Sequence, residues 1–286
     1  MILLIYDKKD YSTLEFMEYL REKKVKHISI APDDILSNKN KILDLSKKKC
    51  VWNIEGIKIE FDKLSGIYFR IHDIAQNKYF KQYNKEDIEY VINEWWSYLI
   101  YRVGITNNVI NPITNESLSG VVLEIPYIYQ IAEEIGFVVP EYYFSNSYKE
   151  LEYIFNQDKK FIVKTSINNN TDFRASSYIY KNAIGLIEAL EGKICFIHIL
   201  DSEIFGCFIH QNNRKTLRLT SKEKVMCFTM KEKLRTRALQ IILIDNRIKG
   251  KVFVHASLYP NWLLAEKGSI AQIYQSLLYK LTSNKS

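Results

Sequence analysis

Short apolar runs bounded by turn signals alternate along the chain with longer stretches of helical spacing. In the last third, two largely apolar runs, Ile241 to Asp245 and Val252 to His255, flank the turn pair Lys249-Gly250. Two such runs around a turn predict an antiparallel β-hairpin. Residues 270–281 then carry apolar side chains at helical spacing, which predicts an amphipathic helix after Gly268-Ser269.

The N-terminal segment predicts a parallel sheet. Residues 1–6 form a buried-strand run, and apolar residues recur on one helical face within 13–23. Residues 25–31 predict a second strand, which ends at the break Pro32-Asp33-Asp34. A strand, a helix and a strand in this order are typical of an open α/β sheet.

The remaining segments continue the alternation. The sequence predicts strands at 66–71, 142–144 and 160–164, hairpins at 50–61 and 195–209, and helices at 85–103, 121–135, 148–156 and 229–239. Lysine-rich residues 38–49 predict a solvated helix or loop, and polar residues 168–177 predict a loop. We place the first domain boundary in the turn-rich residues 107–119. The predicted division is an N-terminal βα domain (1–110), a small central α+β subdomain (111–190) and a C-terminal lobe (191–286).

Composition narrows the possible partners. Of 286 residues, 47% are hydrophobic and 26% are charged, and the net charge is +7 at pH 7. This charge favours acidic peptides, nucleotides or nucleic acid, but a basic solvated surface is its more common explanation. The four cysteines lack metal-ligand spacing, and no apolar stretch suits a signal peptide or a membrane span. We therefore predict a cytoplasmic protein.

Six segments, taken in order, resemble one known family. They are MILLIYDKKDYST (1–13), GIYFRIHD (66–73), IYQIAEEIGFVVPEYYFSNS (128–147), FIVKTS (161–166), CFIHQNNRKTLRL (207–219) and VFVHASLYPNW (252–262). They resemble the ATP-grasp maturases of ribosomally made peptides, the microviridin-like graspetide ligases, and above all those of the "grasp-with-spasm" systems. The likeness covers nearly the whole chain, and the shared order of the segments carries it.

The resemblance implies an α/β ATP-grasp-like fold with an N-terminal pre-ATP-grasp βα domain. In that family, ATP phosphorylates an acidic side chain of a precursor peptide. A hydroxyl or amine of the same peptide then displaces the phosphate, which gives an ester or amide crosslink. Lysines along the triphosphate and carboxylates around Mg²⁺ support this chemistry. The resemblance thus implies a precursor (leader) peptide as the partner, with ATP and Mg²⁺ as cofactors if the chain is active.

The resemblance also assigns candidate roles, although no catalytic residue can be named. Lys164 matches the family's nucleotide-binding lysine, with a surface lysine at a strand end as the alternative. Asp245 is a candidate for binding nucleotide and metal, with a turn aspartate as the alternative. Arg70 and His72 are candidates for binding a peptide carboxylate. For Arg70 the alternative is a surface position at the sheet edge.

Departures from the family's pattern shape the functional hypothesis. His255 and Ser257 stand at the metal-binding glutamate and asparagine positions, whereas Mg²⁺ prefers hard oxygen ligands. A hydrogen-bonded strand histidine is the alternative role for His255. Glu124-Ile125 lies where the family has an Asn-Lys pair, and Cys195 lies where an arginine is expected.

These departures favour a degenerate member of a maturation system. We predict a pseudo-enzyme that binds a precursor peptide and works with an active maturase or with a second copy of itself. The main alternative is an active ATP-dependent ligase that forms ester or amide crosslinks. A nucleic-acid-binding module ranks third, because it rests on the positive charge alone.

Overall fold

The structure, a computed structural model, describes residues 1–37, 41–44, 49–54, 56–71, 82–84, 87, 90–91, 94, 108–110, 125–157, 161–164, 184–211 and 213–283. Its elements are β1 (Ile2–Tyr6), α1 (Tyr11–Glu22), β2 (His27–Ile30), α2 (Pro32–Ser37), β3 (Lys41–Asp44), β4 (Lys49–Ile54), β5 (Ile57–Glu60), β6 (Gly66–Arg70), β7 (Val109–Ile110), α3 (Ile125–Ile135), β8 (Tyr142–Phe144), α4 (Tyr148–Gln157), β9 (Phe161–Lys164), β10 (Gly185–Glu188), β11 (Lys193–Leu200), β12 (Glu203–His210), β13 (Asn213–Thr216), α5 (Ser221–Lys233), β14 (Ala238–Asn246), β15 (Gly250–Ser257) and α6 (Lys267–Thr282). No helix within these ranges is long and apolar enough to cross a membrane.

Parallel pairing explains the continuous apolar run at the N-terminus. The first sheet has the order β2-β1-β6-β7, and its strands pair in parallel. Ile2 and Leu4 of β1 enter a hydrophobic cluster on one face of the sheet, while Leu3 and Ile5 enter a cluster on the other. A strand that is buried on both faces needs apolar residues at every position. The predicted βαβ opening is confirmed.

Antiparallel pairing builds a five-stranded sheet with the order β13-β12-β11-β14-β15. Both predicted hairpins of this region are confirmed, namely β11 with β12 and β14 with β15. One face of the sheet packs against α3 and α5, and Ile197, Ile241 and Phe253 belong to that core. The opposite face carries the polar residues of the candidate site.

A three-stranded sheet, β8-β10-β9, contacts the turn between β14 and β15. Lys249 Nζ in that turn donates to both carboxylate oxygens of Glu188, at 2.6 and 2.7 Å. Phe253 N donates to Val138 O at 2.7 Å. These contacts attach the small sheet to the larger one. Strands β3, β4 and β5 form a further antiparallel sheet, whose Trp52 packs in the same cluster as β1.

The C-terminal helix packs on the N-terminal sheet. Gly66 of β6 lies so close to α6 that a Cβ atom there would come within 2.4 Å of Leu281 O. Trp262, just before α6, donates from Nε1 to Tyr68 OH at 2.8 Å and from its backbone N to Ser12 Oγ at 3.1 Å. The two ends of the chain therefore share one hydrophobic core. The division into three domains stays a prediction.

Two local predictions are wrong. The helix predicted at 229–239 is α5, which begins at a capping box between Thr220 and Glu223, and residues from Ala238 onward form β14. The predicted strand end before Pro32 is confirmed, since β2 ends at Ile30, and Pro32 itself opens α2 because proline fits the first turn of a helix. Within the lysine-rich segment, β3 pairs with β4, so strand pairing outweighs local polarity. The helix predicted at 85–103 lies largely outside the described residues, and the loop at 168–177 lies wholly outside them.

Candidate functional site

Asp245 lies near the end of β14, between two lysines of the neighbouring strands. The register places it opposite Lys251 of β15 and Lys193 of β11. Lys251 Nζ also donates to Glu223 Oε1 of α5 at 2.6 Å. Asp245 thus belongs to a mixed-charge margin of the sheet and does not face the middle of β15.

His255 and Ser257 lie on the other face of the same hairpin. His255 is opposite Ile242, and Ser257 is opposite Gln240. Because side chains alternate along a strand, His255 and Ser257 share one face, whereas Asp245 points to the other. His255 is opposite Ile242, and Asp245 is three positions further along β14, which is about 10 Å along the strand. The structure therefore brings His255 and Ser257 together and separates Asp245 from both.

The donors around His255 do not fit Mg²⁺. The hydroxyl of Ser257 is engaged with the backbone of Tyr259, at 3.2 Å to both its O and its N. The neighbour across from His255 is the apolar Ile242, which supplies no oxygen. Mg²⁺ needs several oxygen ligands in octahedral geometry. Within the described part of the chain, no three His, Cys, Asp or Glu side chains could hold a metal together.

Two buried polar side chains on this face hold the segment that follows β15. His198 Nε2 lies 3.0 Å from Asn261 O, and Gln240 Oε1 accepts from Asn261 N at 3.1 Å. Burial lowers the pKa of His198 to about 4, although the contact with Asn261 opposes the shift. His198 is therefore neutral at pH 7 and donates from Nε2, because a carbonyl can only accept. His198 and Gln240 thus hold Asn261, in the segment after β15, without adding a charge to this face.

Arg70 is buried and forms an ion pair with Asp10. It is 1% exposed, so the predicted alternative of a surface position is wrong. Its Nε and Nη2 donate to the Asp10 carboxylate at 2.6 and 3.1 Å, and Nη1 donates to Pro260 O at 2.9 Å. A peptide carboxylate would have to compete with Asp10 for this guanidinium. His72 lies outside the described residues. Lys164 ends β9 opposite Gly185, and its side chain is also outside the described part.

A polar cleft lies between the β11–β12 turn and α6. Its volume is about 480 Å³, and it is lined by Ser202 of the turn, Glu203 and Phe205 of β12, and Gln272, Gln275, Ser276, Tyr279 and Lys280 of α6. Ser276 Oγ donates to Glu203 Oε1 at 3.0 Å. The other oxygen, Glu203 Oε2, is buried, and no described residue donates a hydrogen bond to it. A buried acceptor in this state calls for a donor from a ligand or from water.

The cations near this cleft are directed at Asp201. Arg237 binds its carboxylate through Nε and Nη2, at 2.8 and 2.7 Å, and Lys280 Nζ lies 3.6 Å away. Burial alone would raise the pKa of Asp201, but Arg237, Lys280 and Lys231 together lower it. Glu203 has a different environment, since a serine is its one hydrogen-bond donor among the described residues.

Solved structures with a similar fold match nearly the whole chain. The macrocyclase MdnC of Microcystis aeruginosa MRC, bound with precursor peptide MdnA, is 14% identical with a TM-score of 0.71, over 97% of this chain and 99% of that one. A RiPP-associated ATP-grasp ligase of Chryseobacterium gregarium, in complex with ADP and a leader and core peptide, is 12% identical with a TM-score of 0.71, over 98% and 96%. The ATP-grasp ligase PsnB, with minimal precursor, Mg and ADP, is 11% identical with a TM-score of 0.71, over 99% and 98%.

The chain has the ATP-grasp fold. The predicted α/β architecture is confirmed, and so is the resemblance, since these structural neighbours are RiPP-associated ATP-grasp ligases. Identities of 11–14% establish a shared fold and not a shared activity. No protein-family model matches the sequence, and no curated protein matches it either.

Sequence reasoning missed the cleft within this fold. The turn at Asp201-Ser202 and the C-terminal helix were both predicted, and Gln272, Gln275, Ser276 and Tyr279 recur at helical spacing. That polar stripe is the signal that could have indicated a binding face. The contact with Glu203 spans 73 residues of sequence, so no local pattern reveals it.

Proposed function

We propose that this chain binds a precursor peptide in a system that matures ribosomally made peptides, and that its nucleotide and metal site is degenerate. The observation that carries the peptide-binding part is the cleft of about 480 Å³ beside Glu203, whose buried Oε2 lacks a donor among the described residues. The cleft has the size of a site for one or two side chains. Its carboxylate favours a basic side chain, and the rings of Phe205 and Tyr279 suit a cation.

Two further observations support the proposal. The structural neighbours MdnC, PsnB and the C. gregarium ligase were solved with precursor or leader peptides, so this fold can hold such a partner. At the hairpin, His255 faces Ile242, and Asp245 points away from both. The donor set near His255 is therefore poor for the Mg²⁺ with which PsnB was solved. Binding in the cleft needs neither ATP nor metal.

Peptide binding is tested with a panel of twelve-residue peptides that differ only at one central position, which is Arg, Lys, Gln or Glu. We expect fluorescence anisotropy to rank affinity as Arg and Lys above Gln, with Glu weakest. Loss of a charge-assisted hydrogen bond in Glu203→Gln should cut the preference for Arg over Gln by about tenfold. Glu191→Gln is a matched control, because Glu191 is exposed and lies just before β11, at the end remote from the cleft. Equal binding of the Arg and Glu peptides would contradict the assignment.

The nucleotide site is tested separately by calorimetric titration with Mg²⁺–ATP, at protein concentrations that detect a dissociation constant near about 1 mM. The degenerate site should give no metal-dependent binding. Clear Mg²⁺-dependent binding that Lys164→Ala and Asp245→Ala abolish would overturn the degenerate-site proposal. An active peptide-crosslinking ligase would then be the better description, and peptide binding could still hold.

A further inference from the structure

The strand β13 forms an exposed edge of the five-stranded sheet. Asn213–Thr216 pairs with β12 on one side, and no described strand pairs with its other side. All four residues are exposed. Exposed edges offer backbone donors and acceptors to another extended chain.

The ladder shows which backbone groups face outward. Leu217 N donates to Gly206 O at 2.8 Å, so Leu217 is a hydrogen-bonded position of this antiparallel pair. Inward and outward groups alternate along such a strand. The N–H and C=O groups of Arg214 and Thr216 therefore point away from β12. This spacing is what an added antiparallel or parallel strand requires.

The charge along this edge is predominantly positive. Between residues 211 and 224 the chain carries five basic residues, all exposed, namely Arg214, Lys215, Arg218, Lys222 and Lys224. Glu223 is the one acidic residue in that range, and its carboxylate is occupied by Lys251 and Thr220. The same cations that repel the edge of a second copy attract an acidic strand.

We propose that β13 takes up an acidic, extended segment of a partner polypeptide as a sixth strand of the sheet. Outward backbone groups of Arg214 and Thr216 would pair with the segment, and the surrounding cations would select its acidic side chains. Residues 211–224 contain no aromatic side chain, and base stacking is the usual source of affinity for single-stranded nucleic acid. A peptide therefore fits the edge better than a nucleic acid does. This surface shares no residue with the Glu203 cleft, and the inference goes beyond the function proposed above.

The test uses fluorescein-labelled (Glu-Thr)₆, with (Ser-Thr)₆ and a twelve-nucleotide oligothymidine for comparison. We expect (Glu-Thr)₆ to bind at least about tenfold more tightly than (Ser-Thr)₆ at low salt. The double variant Arg214→Glu/Lys215→Glu should lose about tenfold or more, whereas the charge-matched control Lys149→Glu/Lys267→Glu, at exposed sites elsewhere, should stay within about twofold.

Thr216→Pro separates strand addition from simple charge attraction. It removes one outward N–H, and an edge strand tolerates proline where the N–H faces solvent. We expect about fivefold weaker binding of (Glu-Thr)₆ at unchanged net charge. In the unaltered protein, hydrogen exchange at Arg214 and Thr216 should slow when the peptide binds, a readout that needs no variant. Unchanged exchange at both amides would overturn the proposal. So would oligothymidine binding as tightly as (Glu-Thr)₆, which would indicate charge attraction alone.

Discussion

Replacing Arg70 with methionine should be among the most destabilising single changes in this chain. Arg70 is 1% exposed, and its guanidinium makes three hydrogen bonds, two to Asp10 and one to Pro260 O. Methionine fills much of the volume but leaves the carboxylate of Asp10, whose side chain is 4% exposed, without its cation. Removing one partner of a buried ion pair costs about 3–5 kcal/mol of unfolding free energy. We expect a loss in that range for Arg70→Met.

A second change tests the cause of that loss. Asp10 caps α1 by accepting from Thr13 N, and serine can keep this cap. The double variant Arg70→Met/Asp10→Ser removes the unpaired charge together with its partner. It should therefore be at least about 1 kcal/mol more stable than Arg70→Met alone. Lys8→Met is the surface control, because Lys8 pairs with Asp33 at 3.8 Å with 67% of its side chain exposed and should change stability by less than about 1 kcal/mol.

Urea denaturation followed by tryptophan fluorescence measures these differences, and native-state hydrogen exchange in β6 checks them without a two-state assumption. Trp262 is a suitable probe, since its indole contacts Tyr68 two residues from Arg70. The reasoning is refuted if Arg70→Met stays within about 1 kcal/mol of the unaltered protein. A double variant less stable than Arg70→Met would also refute it, because the unpaired carboxylate could not then be the cause.

Three smaller effects should follow from the same structure. Gly66→Ala should destabilise by about 1–3 kcal/mol in urea denaturation, because its Cβ would meet Leu281 O at 2.4 Å; unchanged stability would mean that α6 can shift. Thr220→Ala should cost about 1 kcal/mol by losing the cap of α5, while Thr220→Ser should retain it. Burial would raise the pKa of Asp201, but the pKa is lowered, mainly through Arg237. The ion pair therefore stabilises the folded state above the ordinary pKa of 3.8, and this stabilisation is lost as the pH falls through the lower pKa of the folded state. Asp201→Asn should therefore destabilise the protein at pH 7, and a thermal-melt series should show the difference shrinking below about pH 4; an equal difference at all pH values would count against the ion pair.

Local patterns predicted most elements of this fold, because the spacing of apolar residues and the residues that end an element both lie within the element's own segment. The hairpin of β14 and β15 follows from two apolar runs around Lys249-Gly250. The end of α3 follows from Gly136, whose φ of 100° is a backbone conformation that favours glycine. Helix α5 shows the opposite case. Its polar composition gave no clear apolar face, and the capping box at Thr220 and Glu223 was the stronger signal.

The site was harder to predict because it depends on register and on distant contacts. Asp245 and His255 lie on the two strands of one predicted hairpin, yet the bulge between Ile242 and Leu243 and the alternation of side chains place them on opposite faces. In the sequence, Arg70 looks like an exposed strand end. In the structure it binds Asp10, which lies 60 residues earlier in the chain. No spacing rule carries that information, since tertiary packing alone determines which residues meet.

The contacts that hold the loop after β15 are independent of any metal. Asn261 is fixed by the neutral His198 and by Gln240, and Pro260 is fixed by Arg70. None of these three bonds uses His255, so they would survive a change there. A change at Ser257 would instead remove its two hydrogen bonds to Tyr259 in the same loop. The residue at position 255 can therefore change while the bonds from His198, Gln240 and Arg70 to this loop remain. The cleft beside Glu203, on the side of α6, would keep its shape through the same change. Under the function proposed above, this separation explains how peptide binding persists where nucleotide chemistry is lost.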